Sequence, residues 1–380
     1  MSSVFQPNKN EQSTILFDQH QKLDAKFDVF AGWKMPIYYD GIRIEHQFVV
    51  NRCGVFDVSH MGQFHINGPD AIGFIRHLLP LRFERLSVGS LQYTPMCNGK
   101  GGTIDDLLIY RLGESEFLLI VNASRTAEDW DWIQLNSRSY NKLDLVDRSN
   151  GYSLLAIQGP ISKNIVDKYS SVPTGSLGYY DFIQTKLCGI TVVLSRNGYT
   201  GEDGFEIIVE SQFAEEIWTL LVCEGAKPCG LAARDILRIE MGFPLYGNEL
   251  SEDLTPLDGG IGWTIDWSRS DEYIGGESLR QKRLIGKYGR LRGIEMLGKG
   301  IPRHGYEIFD HNGSPVGVVT SGTQSPTSKK GIALVRLHPS EVQLGREFFI
   351  DIRGKMVPIQ FKKLPFRASK VIKSNNYRLQ

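Results

Sequence analysis

The sequence predicts an α+β protein built on antiparallel sheets and closed by a small all-β unit at its C-terminal end. Three observations carry that expectation. Short β-rich runs dominate the chain as far as Ser270, and helical patterns fall among them without the regular alternation of a doubly wound fold. The composition changes near Ser270, where the polar, glycine-containing stretch Ser268 to Ser278 gives way to a basic one. Beyond it, six β-like runs follow at short spacing with turn signals such as Asn312-Gly313 between them, which suits a sandwich or barrel. A boundary near 280 divides the chain into 1–280 and 281–380.

In the first part the β-like runs are Gln63 to Ile66, Thr103 to Tyr110, Phe117 to Val121, Tyr152 to Ile157, Ile190 to Leu194 and Phe205 to Val209. Helical patterns lie between them. Ala71 to Leu79 follows Pro69-Asp70, a good helix start. Ser124 to Trp132 opens on a capping-type serine with an early acid, Glu128. Phe213 to Leu221 places Phe213, Ile217, Leu220 and Leu221 on one stripe. A further helix follows Gly230. In the second part the runs are Arg292 to Met296, Tyr306 to Phe309, Val316 to Thr320, Gly331 to Leu337, Glu347 to Ile352 and Val357 to Phe361.

Length and composition narrow the function. At 380 residues, 41% of them hydrophobic, the chain can build two or three cored domains. Basic and acidic residues balance at 43 each, so no overall field favours nucleic acid. No apolar run reaches the length of a membrane span. The segment from Met1 to Lys26 is polar, carries Glu11, Asp18 and Asp24, and lacks the features of a secretory or organelle signal. A cytoplasmic protein with a short, loose N-terminus is expected. Five scattered cysteines and eight dispersed histidines give neither a disulfide framework nor a metal site. Phosphate-loop and dinucleotide glycine patterns are absent.

Four stretches can carry chemistry. Residues 198 to 207, GYTGEDGFEI, read as a hairpin: Gly-rich turn chemistry between two β-like runs. With a period of two, Phe205, Ile207 and Val209 share one face and Glu206 lies on the other with Ile208 and Glu210. Either this is an ordinary hairpin with the solvated acidic turn Glu202-Asp203, or Glu206 is a strand-mounted carboxylate for a ligand with several N–H donors. Residues 101 to 111, GGTIDDLLIYR, open a buried-type strand with two acids; one can face solvent and the other a pocket, or both can cap the turn. Residues 54 to 62, GVFDVSHMG, bring Asp57, Ser59 and His60 close in sequence. Triads are built in space rather than by adjacency, so a hydrogen-bonded structural histidine is the preferred reading of His60. Met61 suits either a soft pocket wall or core packing. Residues 230 to 240, GLAARDILRIE, pair Asp235 with Arg238 at i, i+3 and leave Arg234 without an acid one turn away. Arg234 is then a solvated surface group or a fork of donors kept for a ligand.

Taken together and in order, these pieces resemble the aminomethyltransferase, or T-protein, family of the glycine cleavage system. The matching segments also include FAGWKMPIYY at 30 to 39, Glu45-His46, Gln92-Tyr93-Thr94, Asn122-Ala123, Gln158-Gly159-Pro160, LYGNEL at 245 to 250, Ile301-Pro302-Arg303 and VTSGTQSP at 319 to 326. The resemblance spans roughly residues 20 to 366. It implies a three-domain cloverleaf whose last domain is β-barrel-like, with two intertwined α+β domains before it. It implies transfer of the methylene of an aminomethyl group, held on the lipoyl arm of the H-protein, to tetrahydrofolate. Ammonia leaves, and dihydrolipoyl carrier and 5,10-methylenetetrahydrofolate remain. Asp106 matches the family's catalytic aspartate beside the reacting folate nitrogens, where a carboxylate can orient N–H groups and move protons. Glu206 matches the glutamate that binds the pterin ring, and Arg234 a folate-site arginine. Tyr93 and Tyr199 match pocket tyrosines, and Met61, Asn122 and Arg303 match further pocket positions. A monomer with no metal is expected.

Two other readings remain at this point: a related folate-dependent demethylase acting on a small methylated donor, and a non-enzymatic folate-binding accessory protein. The second has a Lys-Gly-Cys-Tyr segment that no cysteine here occupies. The sequence departs from some relatives after Pro365-Phe366, where Arg367-Ala368-Ser369-Lys370-Val371 follows. Arg280, Lys282, Arg283, Lys287, Arg290 and Arg292, with the eight basic residues from Arg353 to Gln380, offer a basic face for an acidic lipoyl carrier or a polyglutamylated folate, or else a solvated surface.

Overall fold

A computed structural model describes residues 11–339 and 347–371. The expected loose N-terminus lies partly outside them, as do Lys373 and Arg378 of the basic tail. From Glu11 onward the N-terminal segment is docked rather than loose. Leu16 is fully buried, and His20 on the helix Phe17–Lys22 contacts Asp57 at 2.9 Å.

The chain before Ser270 forms two large sheets and a two-stranded antiparallel one, Lys26–Phe30 with Trp33–Tyr38. A six-stranded sheet runs in the order Phe182–Leu187, Ile190–Ser195, Gly204–Glu210, Tyr152–Gln158, Gly54–Asp57 and Lys227–Pro228. Only its last pair is parallel. A five-stranded antiparallel sheet runs Leu91–Cys97, Thr103–Gly113, Glu116–Val121, Gly62–Asn67 and Asp144–Asp147. The chain crosses from the first sheet to the second at residues 58–61 and returns between 147 and 152.

Strand parity decides what each face does. Along Thr103–Gly113, Leu107 and Ile109 enter a core with Phe74 and Ile75 of the helix Ala71–Leu78 and Ile133 of the helix Thr126–Ser137. Leu108 and Tyr110 point the other way, into a layer with Phe56, Leu154, Ala156 and Ile208 of the six-stranded sheet. Along Gly204–Glu210, Phe205, Ile207 and Val209 pack on Ile217 and Trp218 of the helix Ala214–Cys223. The two sheets therefore meet face to face, with helices on their outer faces. Each large apolar side chain removed from water in these rows contributes about 1.5–3 kcal/mol.

Residues 290 to 362 close into a six-stranded barrel in the order Arg290–Met296, Gly331–Leu337, Pro315–Gln324, Glu307–Asp310, Phe348–Ile352 and Lys355–Lys362. The helix Gly276–Ile285 includes Arg280, so the compositional boundary falls inside an element.

Several local expectations are corrected. The strand Leu91–Cys97 is not among the expected β-like runs; it contains Pro95 and lies at the edge of its sheet, where a missing N–H is tolerated. The helix expected from Ser124 starts at Thr126, after a 3-10 turn Ala123–Arg125, and Ser124 does not cap it. Phe213 ends a 3-10 turn and stays exposed, so the buried stripe of the next helix is Ala214, Ile217, Trp218 and Leu221.

The hairpin is present, with Ser195 opposite Glu206, but its loop is not a solvated acidic turn. Glu202 and Asp203 are buried. Arg196 donates to Asp203 at 2.9 and 2.7 Å. Arg367 donates to Glu202 at 2.5 Å and to Glu240 at 2.9 Å. The C-terminal segment is thus strapped across the loop, and Phe366 N–H adds a bond to the Glu240 carbonyl at 2.8 Å. Gly198 is needed inside this loop, since a Cβ there would stand 1.9 Å from Gln158 Oε1. The basic run is not one free face either. Lys282 pairs with Asp258 at 2.7 Å, Arg280 with Glu277 at 2.8 Å, and Arg283 stacks on Trp267 at 4.4 Å.

Arg367→Ala leaves two buried carboxylates without their guanidinium. We expect a loss of about 3–5 kcal/mol in urea unfolding, and an unchanged unfolding midpoint would show the strap to be ornamental.

Candidate active site

Asp106 and Glu206 occupy the inner faces of the two facing sheets. Asp106 has the parity of Leu108 and Tyr110, and Glu206 that of Ile208. Between them lies a cavity of about 540 Å³, within the range of small-molecule sites. The crossing segment 58–61, the hairpin loop at 197–199 and the helix Leu231–Met241 complete its wall.

Asp106 is held from two sides. Tyr93 Oη donates to Oδ2 at 2.7 Å. Asn122 Nδ2 lies 3.0 Å from Oδ1 and 3.0 Å from the Asp106 carbonyl oxygen. Burial, and then the like charge of Asp105, push the Asp106 carboxyl up to about 7. Burial and the Asp106 charge raise the Tyr93 phenol well above its ordinary value, which keeps it a donor. Of the acid pair, neither side chain faces solvent: Asp105 is fully buried on the opposite face, where it accepts from Asn122 N at 2.9 Å and Nδ2 at 2.8 Å.

Glu206 is buried, and Asn197 Nδ2 donates to its Oε2 at 2.6 Å. Asn197 is itself fixed by Ser195 Oγ at 2.6 Å. Burial raises the Glu206 carboxyl, while Arg234 and the Asn197 bond oppose the shift. Arg234 is no solvated surface group. Its guanidinium lies over the Tyr199 ring at 4.9 Å, and Nη1 is buried with no hydrogen-bond partner. Burial lowers its pKa, with Glu206 and Tyr199 acting against that. The Tyr199 ring stacks on Phe243 at 5.6 Å, and its hydroxyl donates to the Pro244 carbonyl. The expected Asp235–Arg238 pair is present at 2.8 Å, but Arg238 is buried and also reaches Glu249 at 3.0 Å and Ser321 of the barrel at 2.8 Å.

Met61, Tyr93, Asp106, Asn122, Tyr199, Glu206 and Arg234 all line the cavity. Arg303 does not; it is exposed on the loop before the barrel strand Glu307–Asp310. Asp57 and Ser59 do no hydrolytic work together. Asp57 accepts from Thr14 at 2.6 Å and from the Ser59 N–H at 2.9 Å, and Ser59 Oγ bonds the Leu154 carbonyl. His60 lines the cavity rather than serving as a hydrogen-bonded strut: its Nδ1 is buried and makes no hydrogen bond. Burial, with Arg234 adding to it, pushes its pKa down to about 4 against the pull of Asp57, so the imidazole is neutral. Asn197 escaped the sequence reading. Its position in a glycine-flanked loop next to Glu206 in space is visible only once the hairpin closes.

Two family models cover most of the chain. One, described as the GCVT N-terminal domain, matches residues 16–269. The other, described as the glycine cleavage T-protein C-terminal barrel domain, matches residues 290–367. The chain belongs to the glycine cleavage T-protein family. Curated T-protein relatives include the aminomethyltransferase of Halothermothrix orenii, 42% identical over 93% of this chain and 99% of its own. That of Picosynechococcus sp. is 42% identical over 94% and 99%. A crystal structure of the glycine cleavage system aminomethyltransferase T from Bartonella henselae superposes with a TM-score of 0.89 at 30% identity, covering 95% of this chain and 99% of that one. T-protein membership makes the chain an aminomethyltransferase, and it favours neither the demethylase nor the accessory-protein reading. Among the described residues, no helix is long and apolar enough to cross a membrane.

The raised Asp106 carboxyl has a signature in stability. Between the ordinary aspartate value and about 7, the folded protein holds a proton that the unfolded chain has released. Its contribution to stability therefore falls as pH rises through that window and is level above it. Asp106→Asn should be more stable relative to the parent at the alkaline end of the window than at the acid end. Parallel urea-unfolding curves across the window would refute the shift.

Proposed function

We propose that this cavity binds tetrahydrofolate and that Asp106 handles protons at the reacting folate nitrogens as the methylene arrives from an aminomethyl-lipoyl carrier. The observation that supports the reading most is the pairing across the cavity. A carboxyl poised near neutral pH stands on one sheet, and a buried carboxylate beside an arginine with an unused donor stands on the other. A pterin ring presents adjacent N–H donors and a carbonyl. Glu206, with only Oε2 bonded within the protein, can take the donors, and the free Nη1 of Arg234 can reach an acceptor. Tyr199 and Met61 supply ring-contacting walls.

Asp106 can exchange a proton without a large energetic penalty in either direction, which is the requirement for a general acid or base at neutral pH. In its ionised form it also favours cationic character on the methylene as ammonia departs. We assign Tyr93 and Asn122 the task of aiming its two oxygens. We further propose that the lipoylated H-protein is the donor and that the enzyme acts as a monomer in the cytoplasm, where its scattered free thiols stay reduced.

Ammonia release from aminomethylated carrier tests the reading. It should depend on tetrahydrofolate, and Asp106→Asn should lower it by about 10²–10⁴-fold; release that ignores folate would end the proposal. Glu206→Ala should weaken tetrahydrofolate binding by about tenfold to a hundredfold in calorimetry, the weight of a lost charge-assisted hydrogen bond.

A carrier-docking role for the exposed Lys287 and Arg290 has its own check. Reversing both charges should slow turnover with carrier and spare turnover with a small free dihydrolipoyl substrate. Equal loss with both would remove the docking role.

A further inference from the structure

The layer between the two large sheets opens a second time, at the end remote from Asp106 and Glu206. The first cavity is bordered by residues 58–61, where the chain crosses from one sheet to the other. The second, of about 200 Å³, is bordered by the return crossing, where Arg148 and Tyr152 line it. Glu210 lies four residues beyond Glu206 on the same strand and face, about 13 Å along it. Ile208 and Leu118 separate the two spaces. They line the second, while Glu206 and Ile120, two residues away on the same strands, line the first.

The walls of this recess carry charge that the protein leaves unpaired. Arg148 lies over the Tyr152 ring at 5.9 Å, and its guanidinium makes no hydrogen bond or ion pair among the described residues. Tyr152 pairs in register with Glu210, so the two side chains share a face. Glu210 is exposed, and Gln212 donates to its Oε2 at 2.8 Å, which leaves Oε1 free. From the facing sheet, Glu116 Oε1 meets His65 Nε2 at 2.7 Å. His65 is buried, and its Nδ1 has no partner. A cation and two carboxylates thus line one recess without neutralising each other. The floor between them is apolar, made by Leu112, Leu118, Val193 and Ile208.

We propose that this recess is a second binding site, for an aliphatic α-amino acid in its zwitterionic form. The carboxylate of such a ligand matches the fork of donors on Arg148. Its ammonium has three donors for the free oxygens of Glu210 and Glu116, and His65 holds Glu116 in place for that contact. The hydrocarbon side chain covers the apolar floor. A ligand with a single charge leaves either the arginine or the acids unmet. The volume of about 200 Å³ lies below the usual range of small-molecule sites and suits a ligand of this size. The site does not rest on the reading of the first cavity.

Calorimetry and methyl NMR on the full chain, with L-leucine as the probe, test the site. Binding should saturate at one equivalent, at about millimolar concentration or below. The methyl resonances of Val193 and Ile208 should move. 4-Methylpentanoate and 3-methylbutylamine keep the hydrocarbon and lose one charge each, so both should bind about tenfold more weakly or worse. Arg148→Ala and Glu210→Gln should each weaken L-leucine by about tenfold to a hundredfold. Glu210 is exposed, so its variant keeps the measurement decisive if Arg148→Ala does not fold. The absence of saturable L-leucine binding overturns the proposal. So does equal binding of either one-charge analogue, binding that a folded variant retains in full, or methyl shifts that leave Val193 and Ile208 unmoved.

Discussion

The six-stranded and five-stranded sheets share one layer, and the strands that face each other across it have a period of two. That combination places the site. Asp106 and Glu206 reach the same cavity because each has the parity of an inward apolar neighbour, Tyr110 in one sheet and Ile208 in the other. A one-position slip in Thr103–Gly113 would turn Asp106 under the helix Thr126–Ser137 and aim Asp105 at the cavity. Register in this protein therefore decides which acid lines the cavity. It is held by the packing of the apolar rows on both faces, since a slip would send each row into the core shaped for the other.

The same layer explains the unusual electrostatics. Burial disfavours every charge placed there, and proteins tolerate such groups only when their hydrogen bonds are met. Asp106 has Tyr93 and Asn122; Glu206 has Asn197 and the field of Arg234. What is left over is informative. Arg234 Nη1 and His60 Nδ1 are buried and unmet, and both residues line the cavity. In a framework that satisfies the carboxylates around them, unmet groups mark where a ligand's own polar atoms belong.

Much of this was legible in the chain, and the failures have physical causes. The parity of Glu206 could be read because alternation is a local property of a strand. The acid pair at 105 and 106 announced itself by breaking an apolar run, although full burial of Asp105 could not be foreseen from the strand alone. Arg234 was visible as a helical cation without a partner one turn away. Arg303 was carried in by resemblance alone; it is exposed and is not among the residues lining the cavity. Glu202 and Asp203 look solvated because their partners, Arg196 and Arg367, are supplied by the other side of the loop and by the far C-terminal segment. Long-range neutralisation of this kind leaves no trace in composition or spacing.

The Arg367 strap has a consequence for how the molecule is made. The hairpin loop that mounts Tyr199 beside Glu206 contains a carboxylate whose guanidinium arrives only with the last strand of the barrel already behind it. During synthesis the two sheets can assemble while the loop still faces water, since domains fold in order as the chain emerges. Pairing of Glu202 must wait until the chain through Arg367 has left the ribosome. A nascent chain that has not yet reached Arg367 cannot close this loop over its carboxylate, so the part of the cavity wall that Tyr199 supplies is fixed after the sheets.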